Sequence, residues 1–264
     1  DRDNLTEARR LLAEARNLAP GVASHPIELD YLAASLDESL AVIDAGEGTV
    51  TAVAGSGDGA AVAGGTDRGR VFMWKPGHVE TTIAQLDGPV WAVAMSPDGS
   101  RIAIGRSDGQ VQIHDAGGGD AIMTFSAHDG TVYSLAYSPD GHLLATASRD
   151  RSVRLWSTVS WELREQLLGH EGTVLSVCFA PDGERILTTS SDGTARIWNA
   201  ADGAQMLRVG DGSSRLFRGV LGSDGKRFAT AGEDGKVRVH DAGSGRLRAT
   251  LVHPRRVNSI AFID

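Results

Sequence analysis

The sequence is poor in cysteine. Cys178 is the only one, which excludes an internal disulfide framework and a cysteine-based zinc cluster. A chain of this kind suits a reducing compartment, and a cytoplasmic location is expected. Lysine is scarce as well: Lys75, Lys226 and Lys236 are the only ones, and arginine carries the rest of the positive charge. We read that imbalance as base-composition bias in the source genome. No excess of basic charge exists, since 26 basic residues face 34 acidic ones for a formal net charge of −8. A general binder of nucleic acid or of acidic membranes needs a basic footprint, so neither partner is expected. No apolar run approaches the roughly 20 residues of a membrane span, so no membrane insertion is expected.

The chain starts at Asp1 without a charged-then-apolar leader. Its last residues, Phe262-Ile263-Asp264, fall inside a recurrence of the repeat described below. It is therefore expected to be a piece of a longer protein, with other domains of the same chain as neighbours.

What the sequence has in abundance is repetition. Residues 128 to 156 give the clearest copy of a unit that recurs along most of the chain. The valine Val132 has counterparts at Val50, Val90, Val174, Leu216 and Val257, at steps of 40, 42, 42, 42 and 41 residues. Such a period, carrying strand and turn signals, marks a repeat architecture. Each unit opens with a strand such as residues 174 to 179, then a Pro-Asp-Gly turn (Pro97-Asp98-Gly99, Pro139-Asp140-Gly141, Pro181-Asp182-Gly183). Proline pre-sets φ and glycine accepts positive φ, so the turn has a mechanism. A second strand (185 to 189), a tight turn at Ser191-Asp192-Gly193, a third strand (195 to 198) and a more variable fourth follow. Four short hairpin-linked strands repeated radially bury their faces on neighbouring copies, which describes an all-β propeller.

Residues 1–37 read differently. Asn4 is placed to cap a helix over residues 4 to 18, with Glu7 at capping-box spacing and Leu5, Ala8, Leu11, Leu12, Ala15 and Leu18 as an apolar stripe. Asn4-Leu5-Thr6 is also a glycosylation sequon, but nothing else points to secretion. Ser24 and Pro26 open a second helical pattern. Two helices this short cannot form a stable domain alone, so they are expected to be a linker or the end of an upstream helical region. The β region is expected from residue 38 to 264, with an outer strand near Leu40 that belongs to a blade completed elsewhere.

The Gly169-His170 pair, the Ser/Ala-Pro-Asp-Gly turn, the Ser-x-Asp turn and the Ile-Trp or Leu-Trp third strand resemble the WD40-repeat family. Five units match in order and spacing across residues 38 to 264. The resemblance implies a propeller with a hydrogen-bonded tetrad of His, Ser or Thr, Asp and Trp in a blade. By motif position it is complete in two units: His128, Thr146, Asp150 and Trp156, and His170, Thr188, Asp192 and Trp198. A His/Asp/Thr set can be mistaken for a catalytic triad, but recurrence by period favours a structural role. The first unit has Gly46 for His and Ala63 for Thr. The second has Leu86, Ile104 and His114 where the tetrad has His, Thr and Trp. The fifth keeps Thr230 and Asp234 but has Gly212 and His240. The sixth shows His253 and the start of a strand. The family's 40–45 residues per blade imply a cut seven-bladed ring, which needs about 290 residues when whole.

No catalytic constellation, metal-ligand spacing or cofactor motif emerges, so no cofactor, no metal and no enzymatic activity are expected. Gly55-Ser56-Gly57-Asp58-Gly59 lacks the Lys-Ser/Thr ending of a phosphate loop and sits at a hairpin turn, as does Ser223-Asp224-Gly225-Lys226. Cys178 beside Phe179 reads as a buried inert thiol. What remains is a binding surface. In propellers of this family the residue after the first-strand valine, and the residue before the turn Asp, tend to lie around the channel mouth. The first set is Thr51, Trp91, Tyr133, Leu175, Phe217 and Asn258; the second is Thr66, Ser107, Arg149, Ser191 and Glu233. Large aromatics with an arginine nearby are hot-spot residue types. A protein or peptide partner held by Trp91, Tyr133, Leu175, Phe217, Arg149 and Glu233 is therefore expected, with packing against neighbouring loops as the alternative. The whole reads as an interaction module or scaffold. The helical lead-in also resembles multidomain bacterial signalling proteins, where a helical region joins an effector domain to a WD40 sensor. Two further readings stand beside it: a channel that binds or transforms a small molecule, and a purely structural repeat within an assembly.

Overall fold

The computed structural model describes residues 48–57 and 59–262. The helical expectations for residues 1–37 and the outer strand near Leu40 lie outside the described residues.

Among the described residues, twenty strands fall into five sheets of four. Blade 1 holds β1 (Val50–Gly55), β2 (Val62–Thr66), β3 (Arg70–Trp74) and β4 (Thr81–Gln85). Blade 2 holds β5 (Val90–Met95), β6 (Arg101–Arg106), β7 (Gln110–Asp115) and β8 (Ala121–Ser126). Blade 3 holds β9 (Val132–Tyr137), β10 (Leu143–Ser148), β11 (Val153–Ser157) and β12 (Leu163–Leu167). Blade 4 holds β13 (Val174–Phe179), β14 (Arg185–Ser190), β15 (Ala195–Asn199) and β16 (Gln205–Val209). Blade 5 holds β17 (Leu216–Leu221), β18 (Arg227–Gly232), β19 (Lys236–Asp241) and β20 (Leu247–Val252). Every pairing is antiparallel, and strand order in each sheet follows chain order.

The first strands stand side by side, β1 on β5, β5 on β9, β9 on β13 and β13 on β17, so the blades fan around a common axis. Burial follows position in the blade. The second strands are almost wholly buried, while the fourth strands are largely exposed. The core is a series of layers between consecutive blades. One joins Val71 and Ile83 to Val90 and Ile104. The next joins Val111 and Ile113 to Val132, Leu144 and Trp156. A third joins Val153 and Leu155 to Val174, Ile186 and Trp198, and a fourth joins Leu187 and Ile197 to Leu216 and Phe228. Alternation along β-strands supplies one face to each neighbour, so no blade has a core of its own. Val237 and Val239 of β19 are only half-buried, whereas their counterparts Val153, Leu155, Ala195 and Ile197 are buried.

Residues 257–262 form no strand, although the repeat places the first strand of a sixth unit there. A first strand is held by its ladder with a second, and no described strand pairs with this segment. Asn258 and Ser259 nevertheless line the central channel beside the first strands.

Candidate functional site

In two blades a tetrad pins the turn between the second and third strands. In blade 3, His128 Nδ1 lies 2.8 Å from Asp150 Oδ2 and Nε2 lies 2.7 Å from Thr146 Oγ1. A carboxylate only accepts, so the proton sits on Nδ1 and the Thr146 hydroxyl donates to Nε2. The Trp156 indole N–H then donates to Thr146 Oγ1 at 3.1 Å. Blade 4 repeats the chain: His170 to Asp192 at 2.8 Å, His170 to Thr188 at 2.8 Å, and Trp198 to Thr188 at 2.9 Å. One hydroxyl that sequence reasoning missed completes each set. Ser152 and Thr194 donate hydroxyl hydrogen bonds of 2.7 Å to Asp150 and Asp192. They recur at the same place in the period, which was the available signal.

Electrostatics agree with a static role. Burial holds His128 below the ordinary imidazole value, against the pull of Asp150. Burial pushes the Asp150 carboxyl up, but hydrogen bonds from Ser152 and His128 outweigh it, and the group ends below the usual carboxylate range. Asp192 is likewise held low by His170 and Thr194, despite its burial. Thr146 and Thr188 are fully buried and their protons are committed to histidine. A nucleophile needs access to substrate, and these have none.

The channel mouth is built by a backbone device. In every blade the first strand carries a β-bulge just after its opening residue: Val50 pairs Thr66 and Ala52 pairs Gly65, leaving Thr51 unpaired. The same irregularity leaves out Trp91, Tyr133, Leu175 and Phe217. A bulge re-aims a side chain out of the ladder. All five line one cavity of about 450 Å³ along the axis, with Asn258. Trp91 is 40% exposed, and its ring meets Tyr133 edge-on with centroids 6.0 Å apart. Tyr133, Leu175 and Phe217 are half-buried.

Arg149 and Glu233 stand outside the channel lining. Both are exposed. They sit in turns between second and third strands, with their amides pinned to Thr131 and Arg215 carbonyls at 2.9 Å, one strand further from the axis. Ser107 and Ser191 do not line the channel either, and Thr66 is fully buried, its hydroxyl oxygen accepting from the Arg70 amide at 3.0 Å. The cation at the mouth is instead Arg218, which is exposed and lines the channel. Its position holds Ala52, Ala92, Ser134 and Ser176 in the other blades, so the repeat alignment carried that signal too. Among the described residues no hydrogen bond or ion pair holds its guanidinium. It is the one formally charged residue among the described residues of the lining.

Cys178 is partly buried in β13, its Sγ 3.5 Å from the Gly219 carbonyl, and burial pushes the thiol up to about 11. Among the described residues no group of three or more His, Cys, Asp or Glu is arranged to hold a metal ion. Nor is any described helix long and apolar enough to cross a membrane.

Residues 119–157 and 161–199 match the family model described as WD domain, G-beta repeat. Each stretch runs from a fourth strand or its lead-in to just past the tetrad tryptophan. The two matched stretches are WD40 repeats. Residues 70–132 match a second model of the same kind, the Anaphase-promoting complex subunit 4 WD40 domain. The WD40 matches thus span most of blades 1 to 4, and blade 5 repeats their strand order and register without a match of its own. No curated protein matches the chain.

Proposed function

We propose that the chain is an interaction module that holds a protein or peptide segment over the channel mouth. The observation that carries this reading is the ring of bulged residues, Thr51, Trp91, Tyr133, Leu175 and Phe217, converging on one cavity. Aromatic and aliphatic groups on rigid strands offer contact area at low entropic cost. Arg218, the single charged group of that lining, favours a segment with an acidic side chain beside its apolar ones. WD40 repeats generally mediate protein association, which supports the same reading. We place the module in the sensor or regulatory part of a larger multidomain protein, in the cytoplasm, as part of a seven-bladed ring. A channel enzyme has less support, because among the described residues of the lining one arginine and two tyrosines are the only ionisable groups.

The test is selection of peptides from a displayed library against the chain, followed by affinity measurement. Trp91→Ala and Phe217→Ala are each expected to weaken a selected peptide by roughly tenfold or more at unchanged thermal midpoint. Arg218→Ala should remove the preference for acidic peptides, and Arg149→Ala should change little. Peptides that bind equally well to all four variants would sink the proposal.

A further inference from the structure

Blade 5 departs from the tetrad in a way that leaves chemistry behind. Shifting the blade 4 set by 42 residues gives Gly212 for His170, Thr230 for Thr188, Asp234 for Asp192 and His240 for Trp198. The imidazole is gone and the indole has shrunk. A cavity of about 240 Å³ lies there, lined by Thr230, Arg238, His240, Ser213 and Ser214 among others. Blade 2 also lost its histidine, but it lost the polar partner with it. Leu86 packs on the core and Ile104 is fully buried, so apolar groups refill the corner. In blade 5 the threonine remains. Thr230 is 1% exposed, and its hydroxyl has no hydrogen bond to any described residue. The hydroxyl lines the cavity, so a ligand that accepts from it gains a hydrogen bond in a largely shielded site.

The neighbouring strand is equally specific. His240 Nδ1 lies 3.1 Å from the Gly245 carbonyl, which can only accept, so Nδ1 carries the proton and Nε2 offers a lone pair. Phe228 stacks on one face of the ring at 5.0 Å and 12°, fixing its plane. Burial lowers the His240 pKa and keeps the ring neutral. Arg238 does not add a free charge, because its guanidinium is bound to Asp234 at 2.6 Å. The inner wall of the cavity therefore presents the Thr230 hydroxyl as a donor and the His240 lone pair as an acceptor, while the Asp211 carboxylate, held by the Ser213 amide, stands at its exposed rim. We propose that the cavity binds a neutral planar azole, which carries one ring acceptor for Thr230 and one N–H for His240. The ring replaces the imidazole that the blade lacks. It can come from a free small molecule or from a histidine side chain inserted by a polypeptide.

The experiment is an amide-resolved NMR titration of the untagged chain with imidazole, with 1-methylimidazole and with a histidine-centred tripeptide. Imidazole is expected to give a saturable shift confined to blade 5 amides, including Ser213, Ser214 and Thr230. The N-methyl ring, which lacks the N–H, should bind roughly tenfold or more weakly, because it leaves the His240 lone pair unpaired. His240→Trp fills the space and should abolish the shift. Thr230→Val keeps the shape of the wall and should weaken binding by roughly tenfold, with an unchanged circular dichroism spectrum as the folding control. A tripeptide that binds more tightly than imidazole identifies an inserted side chain; the reverse identifies a free azole. No saturable shift, or equal binding by imidazole, its N-methyl form and the His240→Trp variant, would overturn the proposal.

Discussion

Blades 4 and 5 are neighbours with the same strand order and register, yet they solve one corner of the fold differently. In blade 4 the Asp192 carboxylate collects the His170 ring, the Thr194 hydroxyl and the amides of Glu171 and Thr194. Arg196 is left to lie over Trp198 at 5.9 Å and to bond Gln205. In blade 5 the histidine is Gly212 and the position of Thr194 is Lys236. Arg238 swings to the free carboxylate instead, and Asp234 trades a buried network for an arginine pair at the rim. The lesson is that the strand framework does not depend on the tetrad. Ladder hydrogen bonds and the apolar layers between blades hold blade 5 in register, and the network is an added clamp on the turn.

The largest effect should come from the ring that differs most. Trp198 is 2% exposed, fills the layer against blade 3 and donates to Thr188. Trp198→Ala is expected to cost about 3–5 kcal/mol in urea unfolding, by cavity formation and loss of the indole bond. His240→Ala removes a smaller ring that already borders open space and should cost about 1–2 kcal/mol. Equal losses at the two sites would break the comparison. The carboxylates come next. Asp192→Ala strands the His170 N–H and two amides, for about 1–3 kcal/mol. Asp234→Ala loses an exposed arginine pair and one turn amide, for about 1 kcal/mol or less. Chemical denaturation of the two variants side by side reads the difference.

Much of this was legible in the sequence, for a physical reason. The opening residues of the five first strands, Val50, Val90, Val132, Val174 and Leu216, fall where the period places them, because a blade must repeat its buried face to meet its neighbour. The residue types of the mouth were legible for the same reason, but the bulge that turns them outward was not, since a pairing irregularity leaves no residue signature of its own. Arg149 and Glu233 follow the second strands in the repeat, and one sequence does not record that they stand outside the channel lining. Arg218 was visible as a break in a column of Ala and Ser. The substitutions Gly212 and His240 were visible too. Whether their space is refilled, as Ile104 and Leu86 refill blade 2, depends on packing that one sequence does not record.

Blades 3 and 4 share the tetrad but differ at its turn. Arg151 stands at φ 73°, where blade 4 has Gly193 at φ 76°. A residue with a Cβ pays for the left-handed region, and glycine does not. Arg151→Gly is expected to stabilise the chain by about 0.5–1 kcal/mol, the relief of strain exceeding the added freedom of the unfolded chain. A higher thermal midpoint is the readout. A fall would mean that the Arg151 side chain contributes more than its backbone loses.

Blade 1 sets the lower end of the scale. Asp67 occupies the tetrad carboxylate position, but Ala63 replaces the threonine, and among the described residues the aspartate accepts only the Thr49 amide, at 2.8 Å, at the protein surface. Water can take over that amide once the carboxylate is removed, so little desolvation is left uncompensated. Asp67→Ala is therefore expected to change stability by about 0.5 kcal/mol or less. The order Asp192, Asp234, Asp67 then ranks the three carboxylates by how many buried donors each satisfies, not by their shared place in the repeat. If Asp67→Ala costs as much as Asp192→Ala, the cost belongs to the turn backbone common to all blades, and the tetrad adds nothing of its own.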